Sequence, residues 1–393
     1  MKYWLTIHPY TYFYKTDDGI LFYNSLTQKI VVNRNEQFVD FFKDLKSAES
    51  NNIFEVEFST ENMISEFLNI LRDDFFIDLL PITEENISPL QMLRKTKVQN
   101  EINESYLGEV GEDIYDNIYK LHIHYNGYST IDDSHCDAFK QFPFVTNHKS
   151  VLDIKALLRQ LSTHTLNNLN EVNLIGTIDN NTVQLIEYFI AKDIEVNLIY
   201  DYNNCDNEIN YNKLKANHII SIHNYSDRYN YKKLLLIKNA EIRFIISSSE
   251  QLGKANDIIK QFDLNNYSFQ PFLTKSNITF FRKHVCLNEN EILELNPTID
   301  EIITKERLNP NSFGNLYILP DGQTYSNPND VPLGSIYEDD LSLLLLKEFR
   351  QIKNWQKVRK NFKSCKKCLY QAICPPITNY EMTGYISAIC NIN

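Results

Sequence analysis

Cysteine is sparse in this chain of 393 residues, at seven. Positive charge is in deficit, with 39 Lys and Arg against 51 Asp and Glu and a formal net charge of −12. That balance excludes sequence-independent binding to phosphate backbones, which needs a cationic surface. Long apolar runs are missing too. The densest, Leu343 to Leu346, ends at Lys347 and Glu348, far short of the roughly 20 residues that span a bilayer. The opening stretch MKYWLTIHPY lacks the apolar h-region of a secretory signal. No G-x-S-x-G, H-E-x-x-H or P-loop string occurs, so common hydrolase and nucleotide signatures are absent. The expectation is a soluble, cytoplasmic protein in a reducing compartment, with neither nucleic acid nor membrane as partner.

What is present fits a globular protein of two or three domains: 43% apolar and 23% charged residues over a length beyond one ordinary domain. No low-complexity tract and no short repeat is expected to organise it. Residues 1–82 predict a small α+β module. Tyr10 to Lys15 and Ile20 to Asn24 join across Asp17-Asp18-Gly19, a hairpin signal, and Lys29 to Asn33 adds a third strand. Phe38, Val39, Phe41, Phe42 and Leu45 fall at helical spacing. After a short run from Phe54 to Phe58, Ser59 or Thr60 caps a helix carrying Met63, Ile64, Phe67, Leu68 and Leu71. Three strands followed by helices suggest a winged-helix-like module. Residues 83–117 are polar and acidic and read as a linker.

From 118 to 312 apolar strand-like runs alternate with amphipathic helices. The runs are Tyr119 to Tyr125, Val172 to Gly176, Ile194 to Tyr200, His218 to His223, Glu241 to Ser247 and Tyr267 to Leu273. Ser150 with Asp153 makes a capping-box pattern ahead of Leu157, Leu158 and Leu161. Thr182 to Ile190, Leu234 to Ile237 and Ile258 to Phe262 mark further helices. Such alternation predicts an α/β fold with a parallel sheet. Six units are too few for a closed eight-stranded barrel, so a partial barrel or open sheet follows, with ligands at the C-terminal strand ends. A last module, 313–393, opens with a hairpin at Pro320-Asp321-Gly322 and continues into a helix around Asp339 to Ile352.

The strongest chemical signal lies in the last 29 residues: Cys365, Cys368 and Cys374 in the pattern C-x2-C-x5-C, and Cys390 after a further fifteen residues. Four thiolates can ligate one [4Fe–4S] cluster or one tetrahedral Zn²⁺. The asymmetric spacing is less zinc-like than a pair of matched knuckles. His122 and His124 alternate along the first strand of the barrel region, with His135 next to Cys136. A shared metal is one reading, and barrel-lining residues are the commoner one. Cys205 and Cys286 have no partner at ligand spacing and read as a loop thiol and a packed thiol.

In order, the hairpin with Gly322, then Leu333-Gly334-Ser335-Ile336, then Cys365, Cys368 and Cys374 resemble the SPASM domain of peptide-modifying radical-SAM (S-adenosylmethionine) enzymes. CPPITNYE and the stretch from Trp355 to Arg359 strengthen that likeness. The whole chain resembles the pseudo-radical-SAM proteins of Bacteroidetes ribosomal-peptide maturation systems. The resemblance implies a partial (β/α)6 barrel, an N-terminal module that recognises leader peptides, and a C-terminal cluster-binding domain.

It also implies what has been lost. Radical-SAM catalysis needs C-x3-C-x2-C just after the first barrel strand, where this chain reads NGYSTIDDSHCDAF with Cys136 alone. The Gly-Gly-Glu that holds the SAM amine corresponds here to Gly176-Thr177-Ile178. Of the two auxiliary clusters of a full SPASM domain, one has lost its ligands, with Asn327 and Thr378 at two of its positions. The other is retained as Cys365, Cys368, Cys374 and Cys390. The resemblance therefore implies one [4Fe–4S] cluster, no bound SAM and no radical-SAM activity. The implied partners are a precursor peptide and a catalytically competent radical-SAM enzyme. The peptide would add as a strand along Lys29, Ile30, Val31, Val32 and Asn33, beside Met63, Phe67 and Leu71. An iron–sulfur electron relay and a zinc-stabilised adaptor are the alternatives.

Overall fold

The computed structural model describes residues 2–43, 52–57, 63–83, 112–126, 150–204, 213–223, 225, 231, 237, 240–274, 276–382 and 389–392. The chain divides into two compact units, each drawn from separated stretches. The first takes Met1–Glu109, Asn288–Asn309 and Lys357–Pro376, and the second Val110–Leu287, Pro310–Gln356 and Ile377–Asn393. These are not the contiguous modules 1–82, 118–312 and 313–393 that the sequence suggests.

In the first unit β2 (Thr11–Thr16), β3 (Gly19–Asn24) and β4 (Lys29–Asn33) form the expected antiparallel meander. A second sheet was not legible: β1 (Lys2–Ile7) lies between β5 (Ile53–Glu57) and β6 (Ile77–Pro81), antiparallel to both. Only Leu5 and Ile7 in β1 and Ile77 in β6 are buried apolar residues, too few to stand out as a period. Two helices, α1 (Glu36–Lys43) and α2 (Met63–Asp73), complete the unit. One core joins both sheets and both helices, among them Leu5, Phe22, Phe42, Phe54, Leu68 and Ile77. Phe58 and the caps expected at Ser59 or Thr60 lie outside the described residues.

β3 explains why the unit is discontinuous. All six of its residues are buried, so both faces of the meander must be covered. Ile20 and Phe22 face the core just described. On the other side Tyr23 donates its hydroxyl to Pro297 O at 2.7 Å, Tyr12 to Glu306 Oε1 at 2.8 Å and Tyr14 to Lys366 O at 3.3 Å. The helices Glu289–Leu293 and Ile299–Lys305, together with the first cysteines of the tail, therefore belong with the N-terminal strands.

The second unit carries a nine-stranded sheet. β7 (Lys120–His124), β8 (Glu171–Ile175), β9 (Glu195–Asp201), β10 (Asn217–Ile222), β11 (Ala240–Ile246) and β12 (Tyr267–Pro271) lie side by side in chain order, all parallel. β13 (Asn315–Ile318) pairs parallel with the other edge of β7. β14 (Gln323–Tyr325) and β15 (Gly334–Ser335) follow antiparallel. The six expected strands are within two residues of their observed bounds, and the class is mixed α/β.

Helices α3 (Ile154–Ser162), α4 (Asn180–Ile190) and α5 (Ser249–Phe262) supply Leu157, Leu161, Leu185, Phe189 and Ala255 to a core with Leu121, Ile123, Val172, Leu174 and Leu198 of the strands. Strand side chains alternate between faces, so the intervening residues turn to the opposite face of the sheet. Asp153 itself caps α3, accepting from Lys155 N and Ala156 N. The N-cap is thus three residues later than the Ser150 pattern placed it, because the Asp153 carboxylate already serves those amides. The expected segment Leu234 to Ile237 lies outside the described residues except for Ile237. The supposed linker ends inside this unit: Ile114 and Tyr115, in the 3₁₀ turn Glu112–Asn117, are core residues.

Candidate functional site

The sheet face opposite α3, α4 and α5 builds a site in layers, because parallel register puts like positions of neighbouring strands side by side. Glu171-Val172-Asn173-Leu174-Ile175 and Glu195-Val196-Asn197-Leu198-Ile199 are the same pentapeptide. β8 and β9 pair them residue for residue. This is a short repeat that the sequence reading passed over. It stacks Glu on Glu, Asn on Asn and Ile on Ile. β7 extends the layers with Lys120 and His122, and β10 with Asn217 and Ile219.

The amide layer is a directed chain of hydrogen bonds. Asn217 Nδ2 donates to Asn197 Oδ1 at 3.0 Å, Asn197 Nδ2 to Asn173 Oδ1 at 3.2 Å, and Asn173 Nδ2 to His122 Nδ1 at 3.1 Å. An amide nitrogen only donates, so Nδ1 of His122 is the acceptor and the ring is neutral with its proton on Nε2. Burial holds the His122 pKa well below its ordinary value, with the charges of Lys120 and His124 adding to that effect. Its ring stacks on Tyr317 at 4.5 Å. That lone pair is thus engaged, and the expected partners His135 and Cys136 lie outside the described residues.

The charged layer flanks the amides. Lys120 Nζ sits 2.5 Å from Glu171 Oε2, and Glu171 Oε1 accepts from Asn173 and Asn197. Glu195 Oε1 accepts from Asn217 Nδ2 at 2.7 Å. Further along, Glu241 takes two bonds from Arg243 and one from Ser268 Oγ. Apart from Ser268, these residues border a cavity of 670 Å³, within the range of small-molecule sites. Ile175, Ile199 and Ile219 make a small apolar cluster in the next layer.

At the C-terminal strand ends the chemistry changes. Asp201, which ends β9, is buried, and its Oδ2 lies 3.3 Å from Nε2 of His223, just past β10. Asp201 Oδ1 accepts from Asn203 N and Nδ2. Burial lowers the His223 pKa, and the Asp201 charge only partly opposes that. Nearby, Asn126 closes over the peptide that follows β8. Its Oδ1 accepts from Thr177 N at 2.7 Å and its Nδ2 donates to Thr177 O at 3.0 Å. Gly176 has φ 145°, and a Cβ there would collide with the Asn126 side chain, so only glycine fits.

The tail cysteines are divided. Cys365, Cys368 and Cys374 belong to the first unit and Cys390 to the second. Cys368 N donates to Cys365 O, which closes the C-x2-C turn, and Cys374 N donates to Tyr370 O. Arg359 Nη1 lies 3.8 Å from Cys365 Sγ. Lys305 donates to Ile373 O; burial lowers its pKa, while Glu301 and Cys374 pull the other way. Among the described residues no three His, Cys, Asp or Glu side chains form a group that could hold a metal ion. Cys365, Cys368 and Cys374, which share the first unit, do not group as the ligand set that the resemblance implies would, and no step below runs through a cluster. Asn327 and Thr378 serve local turns, Asn327 accepting from Asn329 N and Thr378 donating twice to Glu381. Cys286 is half-buried and packs with Leu273 and Phe281, as expected of a packed thiol, and Cys205 lies outside the described residues.

The peptide-binding set also separates. Lys29, Ile30, Val31, Val32 and Asn33 are β4, which ends its sheet. Met63 is exposed, whereas Phe67 and Leu71 are spent on the core. They cannot line an open groove, because α2 needs them to pack on the sheets. Among the described residues, no helix is long and apolar enough to cross a membrane. Comparison with models of known families, with curated proteins and with solved structures gives no match.

Proposed function

We propose that this chain is a non-catalytic accessory protein of ribosomal-peptide maturation. It binds a precursor peptide, or a radical-SAM partner, and carries out no SAM chemistry of its own. The six in-order parallel strands then correspond to the partial (β/α)6 barrel of the resemblance, and the β13–β14 hairpin to the start of its SPASM-like domain.

The observation that carries the reading is Asn126 on the peptide after β8. That peptide stands where Gly-Gly-Glu would receive the SAM amine. Here both main-chain polar groups of Thr177 are taken by one side chain of the same protein, and the acidic residue is replaced by Ile178. A ligand amine arriving there meets neither a carboxylate nor the Thr177 carbonyl unengaged.

For peptide capture, the edge of β4 is the supporting feature, through main-chain pairing rather than through a groove under α2. In an antiparallel edge strand successive N–H groups alternate between the neighbour and the outside. Proline therefore acts differently at adjacent positions. Of Val31→Pro and Val32→Pro, one is expected to break the meander. The other is expected to leave the thermal transition in place and abolish capture of the precursor peptide encoded beside this chain, measured by titration calorimetry. Full capture by the variant that still folds would overturn the edge-pairing proposal. The tail thiols as placed do not group for a [4Fe–4S] cluster or zinc among the described residues, and the proposed role routes nothing through one. Anaerobic purification with iron, sulfide and zinc analysis tests that separately.

A further inference from the structure

The repeated pentapeptide has an electrostatic consequence. Glu171 and Glu195 are register partners on adjacent parallel strands, about 4.8 Å apart in the pairing direction. Like charges facing each other across a strand pair are destabilising. Lys120 compensates Glu171. Glu195 has the hydrogen bond from Asn217 and, among the described residues, no ion pair. Burying the Asn layer beside it does not need a second carboxylate, since Asn217 already has Asn197 as its acceptor.

The rest of the cavity narrows what would fit. Both cations on its wall are spent on carboxylates, Lys120 on Glu171 and Arg243 on Glu241. His122 is held neutral by its bond from Asn173 and by burial. Among the described residues the carboxylates and cations of the wall therefore sum to one excess negative charge, at Glu195; His218, also on the wall, has its Nδ1 3.2 Å from the Tyr200 hydroxyl. An anion is disfavoured there. Among the described residues no Phe, Tyr or Trp lines the cavity, so none of them offers a stacking platform for a nucleobase or a sugar face. Carboxylate and amide oxygens in excess over uncommitted donors call for a ligand that only donates.

We propose that this cavity binds an alkyl guanidinium or ammonium group, with Glu195 as its counter-ion and the Asn217–Asn197–Asn173 chain fixing the orientation of the surrounding acceptors. Guanidinium is the better fit of the two, being more weakly hydrated and presenting its donors in a planar fork. Its source is either a free amine or an Arg side chain of a peptide. The inference stands apart from the accessory reading, since it rests on the cavity and not on β4 or on Asn126.

Titration calorimetry on the full chain tests it with four probes: agmatine, N-acetylarginine amide, a short Arg-containing peptide and, as the uncharged citrulline control, N-acetylcitrulline amide. Saturable binding of the cationic probes is expected, weakening as salt is raised, with citrulline silent. Preference for the peptide over agmatine would assign the source as a side chain, and the reverse a free amine. Glu195→Gln is expected to cost about tenfold or more in affinity, the size of one charge-assisted hydrogen bond. The Glu195 side chain is exposed and its charge repels that of Glu171, so the thermal transition of the variant should not fall. No saturable binding of any cation, equal binding of citrulline, or unchanged affinity in Glu195→Gln would each overturn the proposal. The citrulline comparison uses the unaltered protein and so decides the matter even if the variant misfolds.

Discussion

Phe22→Ala is expected to remove most of the stability margin of the first unit. The Phe22 ring is fully buried and meets Phe13 at 4.7 Å, Phe42 at 5.3 Å and Phe76 at 6.1 Å. It thus joins the meander to α1 and to the turn after α2. Truncating such a residue costs about 3–5 kcal/mol, against a total of about 5–15 kcal/mol for an ordinary domain. Phe22 is also the register partner of Val31, so loosening it should disorder β4 and abolish peptide capture as well. The control is Phe75, which is exposed and sits at φ 61°. Phe75→Gly relieves a left-handed backbone and removes no packing, so it is expected to be neutral or to stabilise by up to about 1 kcal/mol. Urea denaturation followed by circular dichroism distinguishes the two. A loss under 1 kcal/mol for Phe22→Ala would contradict the described core.

The second large effect is on pH. His122 and His223 both have pKa values lowered by burial from the ordinary 6.5. The unfolded chain therefore takes up protons near pH 6.5 that the folded chain refuses. Their stabilising contribution is complete above that pH. It is lost as pH falls through 6.5 toward the depressed folded values. Each proton is worth at most about 1.4 kcal/mol per pH unit, and because the unfolded imidazole is only half protonated at 6.5, each histidine that stays neutral when folded should cost about 1 kcal/mol between pH 6.5 and 5.5. The second unit should accordingly melt lower at pH 5.5 than at pH 7.5. His122→Gln keeps an acceptor for Asn173 and should remove about half of the slope. An unchanged slope in that variant would show that His122 is charged in the folded protein.

Much of this architecture is written in the sequence. Runs such as Glu195–Asp201 and Asn217–Ile222 are short, rich in Val and Ile and bounded by polar turns, so their strands and order could be read directly. Two things could not. The division into units depends on which segment covers the second face of β3, and nothing in 288–309 or 357–376 announces that role before the tyrosine bonds to Pro297, Glu306 and Lys366 are seen. The cysteine spacing was legible for the same reason that its placement was not. C-x2-C-x5-C is a local pattern, whereas the assignment of Cys390 to the other unit is a property of the whole fold.

The polar sheet face lies between these cases. Each EVNLI segment reads as an ordinary strand by itself. Only parallel, in-register pairing turns two copies into a stacked pair of carboxylates over a chain of amides. The signal was present as an exact repeat, and its meaning was a matter of register. Likewise Asp201 and His223 look like the polar ends of two separate strands until β9 and β10 are laid side by side.

The accessory reading turns on whether this protein cleaves SAM. The direct measurement is to reconstitute the purified full chain anaerobically with iron and sulfide, add SAM and a strong reductant, and quantify 5′-deoxyadenosine against a protein-free control. No formation above the control is expected, because Cys136 alone cannot supply a three-thiolate ligand set from the loop after β7 and Asn126 occupies the peptide after β8. Accumulation of 5′-deoxyadenosine that depends on the protein would contradict it.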